Sequence, residues 1–332
     1  MLTRLTLLLC ALSAGAVPAC TARAAPDTTL SSCYSGADAT STAVLYAADN
    51  GFFRRNGLTV NMIFTSGGAA AVAALLSGQT PICQMSGANV VSAAQAGEDL
   101  VVVAGIVNTT PFKLVAASTI TKPEQLIGQT VSSPFGGGSY ELGLRLHLAS
   151  IGVGFDQVKY APLGSQSAVV AAMQAGVVAA ALQVAPDTTA LLSQGFVEIP
   201  FGANAPPAFQ HIALVTRRSY VTAHRAVVLA YVRAVAEAIA AMKRDEDGAI
   251  QVIGRYRKLD PVADRQALAT AYRDVVQDRF ASVPEPTADG MQYIINLLPP
   301  PPGARTVTAD DVVDRSIVAE LRRSGLFDKR QP

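Results

Sequence analysis

The chain has 332 residues, about twice the ~150 of a single domain, half of them hydrophobic and only 15% charged, a composition that excludes intrinsic disorder. Its 26 Lys and Arg balance 25 Asp and Glu, and no basic stripe breaks that balance, so no field steers nucleic acid to it. Three His and no Trp leave little material for metal- or histidine-based catalysis.

A mean hydropathy of +0.31 raises the question of a membrane. Arg4 followed by the uncharged run Leu5–Val17 is too short to span a bilayer and long enough for the core of an export signal. Two cleavage readings compete. Ala22-Arg23-Ala24 suits an ordinary signal peptidase, giving a signal peptide over 1–24. Val17-Pro18-Ala19-Cys20 resembles a lipobox, which would make Cys20 a lipidated first residue. The other apolar stretch, Ala168–Ala185, carries Gln174, Gly176 and Gln183 and reads as helix, Gly stop and strand. A soluble exported protein is expected. Cys10 leaves with the signal, so Cys33 and Cys83 remain, either as a bridged pair in an oxidising compartment or as two buried thiols.

From residue 30 the chain alternates strands and helices. Strands are expected at Leu30–Ser35, Thr59–Phe64, Ile82–Met85 and Leu100–Val107, and helices at Thr42–Asn50, from Ser66 to a stop at Gly78, and at Asn89–Ala96. A second pass follows, with strands at Thr130–Ser133, Val158–Ala161 and Val177–Val184 and helices at Tyr140–Ile151 and from Gly164-Ser165 to Gly176. The passes echo each other at a spacing of 98 positions: Val72, Ala73, Ala74 and Gly78 fall over Val170, Ala171, Ala172 and Gly176. This rhythm implies two similar α/β lobes with doubly wound, mostly parallel sheets. Beyond Ser219 the pattern is helical, at Ala226–Met242, Ala249–Tyr256, Pro261–Asp278, Ala288–Leu298 and Ala309–Ser324. This extension is read as packing, without chemistry.

The phrase Tyr46-Ala47-Ala48-Asp49-Asn50-Gly51-Phe52-Phe53-Arg54-Arg55-Asn56-Gly57-Leu58-Thr59-Val60 resembles a segment of the ABC-importer substrate-binding proteins for nitrate, sulfonates, taurine and thiamine-precursor pyrimidines. Pro123-Glu124-Gln125-Leu126-Ile127-Gly128-Gln129-Thr130-Val131 resembles that family's entry to its second lobe, with Gln125 and Gln129 as departures. The resemblance implies a type II periplasmic-binding-protein fold, two lobes around a ligand cleft with a helical C-terminal extension. Lobe 1 would take 27–112 and 213–332, and lobe 2 113–212. It further implies a periplasmic receptor, monomeric and without a cofactor, that passes a small molecule to an ABC permease in the inner membrane. Two alternatives stand beside it: an enzyme on the same fold acting on a pyrimidine-like or carboxylic substrate, and a sensor that binds a partner protein.

Ligands of open α/β sheets bind beyond the carboxyl ends of the strands. That rule selects Tyr34, Ser35 and Asp38; Ser66, Gly67 and Gly68; Ser86, Gly87 and Asn89; Gly137, Gly138, Ser139 and Tyr140; Gln183; and Asn108 at the first crossover. Gly and Ser where helices begin expose backbone N–H groups to an anion or carbonyl oxygen, though Ser can equally just cap its helix. These segments hold Asp38 and Asp187 but no Lys or Arg, which favours a neutral or zwitterionic ligand. Tyr34, Phe135 and Tyr140 could stack on a ring. Asp187 is read as a solvated helix cap, and His147, His211 and His224 as structural.

Overall fold

The computed structural model describes residues 28–202 and 208–328. The signal peptide and Cys20 lie outside the described residues. The first half runs β1 (Thr28–Tyr34), α1 (Thr42–Asp49), α2 (Phe52–Arg55), β2 (Leu58–Phe64), α3 (Gly68–Leu76), β3 (Ile82–Met85), α4 (Gly87–Gln95) and β4 (Leu100–Val107). The chain then crosses into β5 (Lys113–Ala116), β6 (Thr130–Ser133), α5 (Gly138–Ser150), β7 (Lys159–Pro162), α6 (Gln166–Gln174), β8 (Ala180–Gln183), α7 (Asp187–Ser193) and β9 (Val197–Ile199). It returns through β10 (Ile212–Arg217) to the helices α8 (Arg218–Ala223), α9 (Arg225–Met242), α10 (Glu246–Arg257), α11 (Arg265–Ala271), α12 (Ala288–Leu297), α13 (Ala309–Val312) and α14 (Ser316–Arg323).

Two five-stranded sheets result, ordered β2-β1-β3-β10-β4 and β7-β6-β8-β5-β9. They are the same pattern used twice. In each, a first strand pairs in parallel with its two successors, and the crossover strand, β10 or β5, adds antiparallel to the third. The 98-residue echo is this repeat seen in sequence: α3 and β3 reappear as α6 and β8 at that spacing. Both sheets are covered on both faces, which is why β4 reads as an unbroken apolar run. Val101, Val103 and Ile106 face one hydrophobic cluster with α1 and α9, while Leu100 and Val102 face another with α3, α4 and α12. Leu114, Ala116 and Leu182 likewise face one side of the second sheet, and Val115 and Ala181 the other.

The C-terminal helices complete the first lobe. α9 buries Tyr231, Val232 and Val235 against α1 and α2, and the Tyr231 hydroxyl meets the Ser32 hydroxyl at 2.7 Å. Three expected elements are corrected. The helix expected over Ala309–Ser324 is two, because Val313 is extended and bridges Val102 while the Asp314 amide donates to Val102 O. This contact covers the outer edge of β4, a satisfied edge in place of a helical turn. The helix expected over Pro261–Asp278 starts only at Arg265 and ends as a π-helical turn over Tyr272–Gln277. The strand expected from Val177 starts at Ala180, leaving Val177 exposed in the turn. Cys33 and Cys83 are register partners on adjacent parallel strands, with Cα atoms 4.4 Å apart, and form a disulfide.

Candidate ligand cleft

The carboxyl ends of β1, β3 and β6 point toward one space between the two sheets. Ser35 and Asp38 enter it after β1, Ser86 and Asn89 after β3, and Gly137 to Tyr140 after β6. Gly68, at the start of α3, completes one side, and His211 with Ile212 closes the floor where the chain returns to the first lobe. The cavity holds about 30 Å³ for the centres of water molecules, room for roughly two waters. The cleft is closed, and a larger solute needs the lobes to part.

Contacts across the cleft converge on Asp38. On its own lobe, Oδ1 accepts from the Thr40 amide at 2.8 Å and from the Thr40 hydroxyl. From the other lobe, the Tyr140 hydroxyl donates to Oδ2 at 2.6 Å and Gln166 Nε2 donates at 3.0 Å. Burial, and secondly the Asp38 charge, hold the Tyr140 hydroxyl well above the ordinary phenol range, so it stays a donor. The start of α5 comes close to the opposite lobe because it is glycine: a Cβ on Gly138 (φ +61) would stand 2.8 Å from Asn89 Oδ1. A Cβ on Gly67 (φ +84) would meet the Phe135 ring at 3.2 Å.

His211 is buried, with the Phe112 ring edge-on at 4.7 Å and Tyr140 beyond. Neither ring nitrogen has a hydrogen-bond partner among the described residues. Burial pulls the imidazole down to about 4, against the attraction of Asp38, so at neutral pH it is uncharged and offers one donor and one acceptor. His211, expected to be structural, is buried as such a residue would be and also forms part of the cavity wall. His147 does play a packing part, its Nε2 lying 2.9 Å from Ile199 O. His224 sits at the joint between α8 and α9.

Two further expectations change. Asp187 is buried and paired with Arg257 at 2.6 Å, both side chains about one-tenth exposed. Burial outweighs Arg257 and pushes the Asp187 carboxyl up. Arg257 comes from α10, in the extension read as inert, and its Nη1 also donates to Ala37 O. The extension thus reaches the cleft rim and grips the second lobe. A long side chain from a distant helix carries no local signal, whereas the Gly-Ser turns do.

Of the residues expected at the site, Ser35, Asp38, Gly68, Ser86, Asn89, Gly137, Gly138, Ser139 and Tyr140 line the cavity. Tyr34 packs with Phe64 and Tyr256, and Gly67 lies behind Phe135, with Ser66 beside it. Gly87 is pressed against Met291 and Gln210. Asn108 belongs to the crossover, donating to Glu285 O and accepting from Gln210. Gln183 is buried at the end of β8, both side-chain polar atoms without a partner among the described residues, and outside the cavity wall.

The model of the family described as NMT1/THI5 like matches residues 38–249, well over half of the chain. The chain belongs to the NMT1/THI5-like family. No curated protein matches it. Among solved structures, the alkanesulfonate-binding protein SsuA from Xanthomonas axonopodis pv. citri, bound to MOPS, is similar with a TM-score of 0.72 and 20% identity, over 88% of this chain and all of that one. The periplasmic aliphatic sulphonate-binding protein SsuA from Escherichia coli gives 0.62 and 19%, over 91% and 94%. The periplasmic nitrate-binding protein NrtA from Synechocystis PCC 6803 gives 0.68 and 13%, over 90% and 89%. At these identities the likeness establishes the fold: this NMT1/THI5-like chain has the two-lobed periplasmic-binding-protein architecture. Among the described residues no helix is long and apolar enough to cross a membrane.

Proposed function

We propose that this chain is an exported receptor that closes its two lobes on a small organic molecule and delivers it to an ABC permease in the inner membrane. The observation that carries this reading is the cavity between the lobes. It is walled by hydroxyls, an amide, the Asp38 carboxylate and the His211 ring, and the contacts that seal it run from one lobe to the other. Closure of such lobes around a solute is a recognised two-state signal. The lobes would comprise 27–112 with 213–332, and 113–212. The protein would work as a periplasmic monomer, with Cys20 as its lipid anchor if the lipobox is used; the intact mass of membrane-extracted protein reads that directly.

The function is tested by thermal unfolding of the mature chain, refolded free of carried-over solute, against sulfonates, nitrate, amides and nitrogen heterocycles. A solute at ~100 times its dissociation constant adds about 2.7 kcal/mol and moves the midpoint by several degrees. One chemical class of hits supports the receptor reading. Silence across the panel overturns it.

A further inference from the structure

The lobes are joined across the cleft at Asp38 and again at a second point, which comes from the C-terminal extension. Helix α10 is built into the first lobe, where Ala249, Ile250, Val252 and Ile253 are buried with α1 and α9. Arg257 is its last residue, with a side chain only 11% exposed. Its Nη2 donates to Asp187 Oδ1 at 2.6 Å, on α7 of the second lobe, and its Nη1 donates to Ala37 O at 3.0 Å, on the first. Ala37 precedes Asp38, the carboxylate that takes Tyr140 and Gln166 from the second lobe. One guanidinium thus fixes the turn that carries Asp38 and holds the opposite lobe against it. Packing of α7 on α11 follows the same line. All of these contacts run from protein to protein around the cavity, so the shut form needs no solute to hold it.

The second joint is made to part. An arginine and a carboxylate that meet fork to fork share two hydrogen bonds, whereas here Arg257 Nε and Asp187 Oδ2 are buried with no partner among the described residues. The shut form carries the cost of those two atoms, and water removes it once the lobes separate. Closure gains an ion pair and opening gains the hydration of both charges, a balance that leaves the joint reversible. We propose that Arg257 and Asp187 form a clasp that keeps the cleft shut before any solute arrives, with Arg257 as its positioning residue, so that a solute enters only after the clasp has parted. The C-terminal extension is then the part of the chain that sets how often the cleft opens. The inference builds on the receptor reading in taking this cleft as the way in for a solute.

The test needs no solute. The mature chain, begun at Ala25 and refolded free of carried-over solute with the Cys33–Cys83 bridge intact, carries a thiol in the cavity wall as Ser139→Cys. The probe is a methanethiosulfonate reagent, too large for a space of roughly two waters, so its labelling rate measures the open fraction. Ala181→Cys, in the core of the second lobe, reports unfolding instead and should label far more slowly. Arg257→Met and Asp187→Asn each strand one buried partner in the shut form alone. Each should speed labelling of Ser139→Cys at least tenfold, and Asp187→Asn serves should Arg257→Met fold poorly. Arg255→Ala breaks the exposed Arg255–Asp49 pair within the first lobe and should change the rate less than about twofold. Nitroxides at Asn61→Cys and Lys159→Cys, on the outer strands β2 and β7, should give one narrow distance in the wild type by pulsed electron resonance, and a second, longer one that grows in Arg257→Met. Labelling of Ser139→Cys that neither clasp variant accelerates overturns the proposal. So does a cavity thiol that labels no faster than Ala181→Cys, since unfolding and not opening would then expose it. So does a wild type in which the longer distance already predominates. Failure of the receptor reading is a separate result, namely that no solute of the unfolding panel shifts the midpoint while the clasp behaves as described.

Discussion

Protonation of His211 offers a direct measure of how tightly the cleft is sealed. In the unfolded chain the imidazole titrates near 6.5, and in the closed protein near 4. Between those values the unfolded chain holds a proton that the folded chain does not, so stability is full above about pH 6.5 and is lost as the pH falls toward 4. Each pH unit is worth 1.36 kcal/mol, which makes the loss about 3 kcal/mol. His147 is shifted in the same direction by its own burial, so the wild type alone does not isolate the effect. Urea unfolding of wild type and His211→Gln, from neutral down to about pH 4, separates the two, and the wild type should lose about 3 kcal/mol more than the variant. Opening the cleft also rehydrates the ring, and a rise in radius of gyration over the same window registers the share released that way. With three histidines in the chain, the imidazole resonances are resolvable by NMR, and one should titrate near pH 4. Parallel stability curves, together with an ordinary His211 titration, would refute the reasoning.

Arg257→Met strands the buried Asp187 carboxylate and should cost about 3–5 kcal/mol in urea unfolding, part of it recovered by adding Asp187→Asn. Gly87→Ala places a Cβ 2.8 Å from the Gln210 carbonyl and 2.7 Å from Met291 Sδ; it should lower stability by about 1–3 kcal/mol, read by urea unfolding. Reducing the Cys33–Cys83 bridge, which closes a loop of 50 residues, should cost roughly 4 kcal/mol on the chain-entropy view, read as the difference in urea midpoint with and without reductant.

Much of the architecture was legible because it rests on local signals. The apolar run of β4 announces a strand buried on both faces, and the paired stops at Gly78 and Gly176 announce a repeated unit. Nine of the fifteen ligand residues expected from strand ends stand on the cavity wall, because the rule that ligands meet the carboxyl ends of strands depends on topology alone. What the sequence hid depends on distance. Arg257 reaches the rim from a helix some 70 residues beyond its partner Asp187, and charge counted within local segments misses it. The Cys33–Cys83 bridge depends on the register of two strands 50 residues apart. His211 is distinguished from His147 by its place on the cavity wall, which no spacing reveals. Val313 breaks a well-capped helix because an edge strand two hundred residues earlier needs a partner.

The fourfold saturation of Asp38 bears on the kinetics of the molecule. Two of its donors arrive from each lobe at a single carboxylate, and hydrogen bonds of this length fade once the atoms separate beyond about 3.5 Å. A small parting of the lobes therefore forfeits the Tyr140 and Gln166 bonds together, and an intermediate gap recovers neither. Half-open forms lose the Asp38 bonds and lean on the Arg257–Asp187 pair. The lobes should exchange between two populations rather than drift through a continuum, with the time spent shut governed by the joint loss of the Asp38 bonds and the Arg257–Asp187 pair.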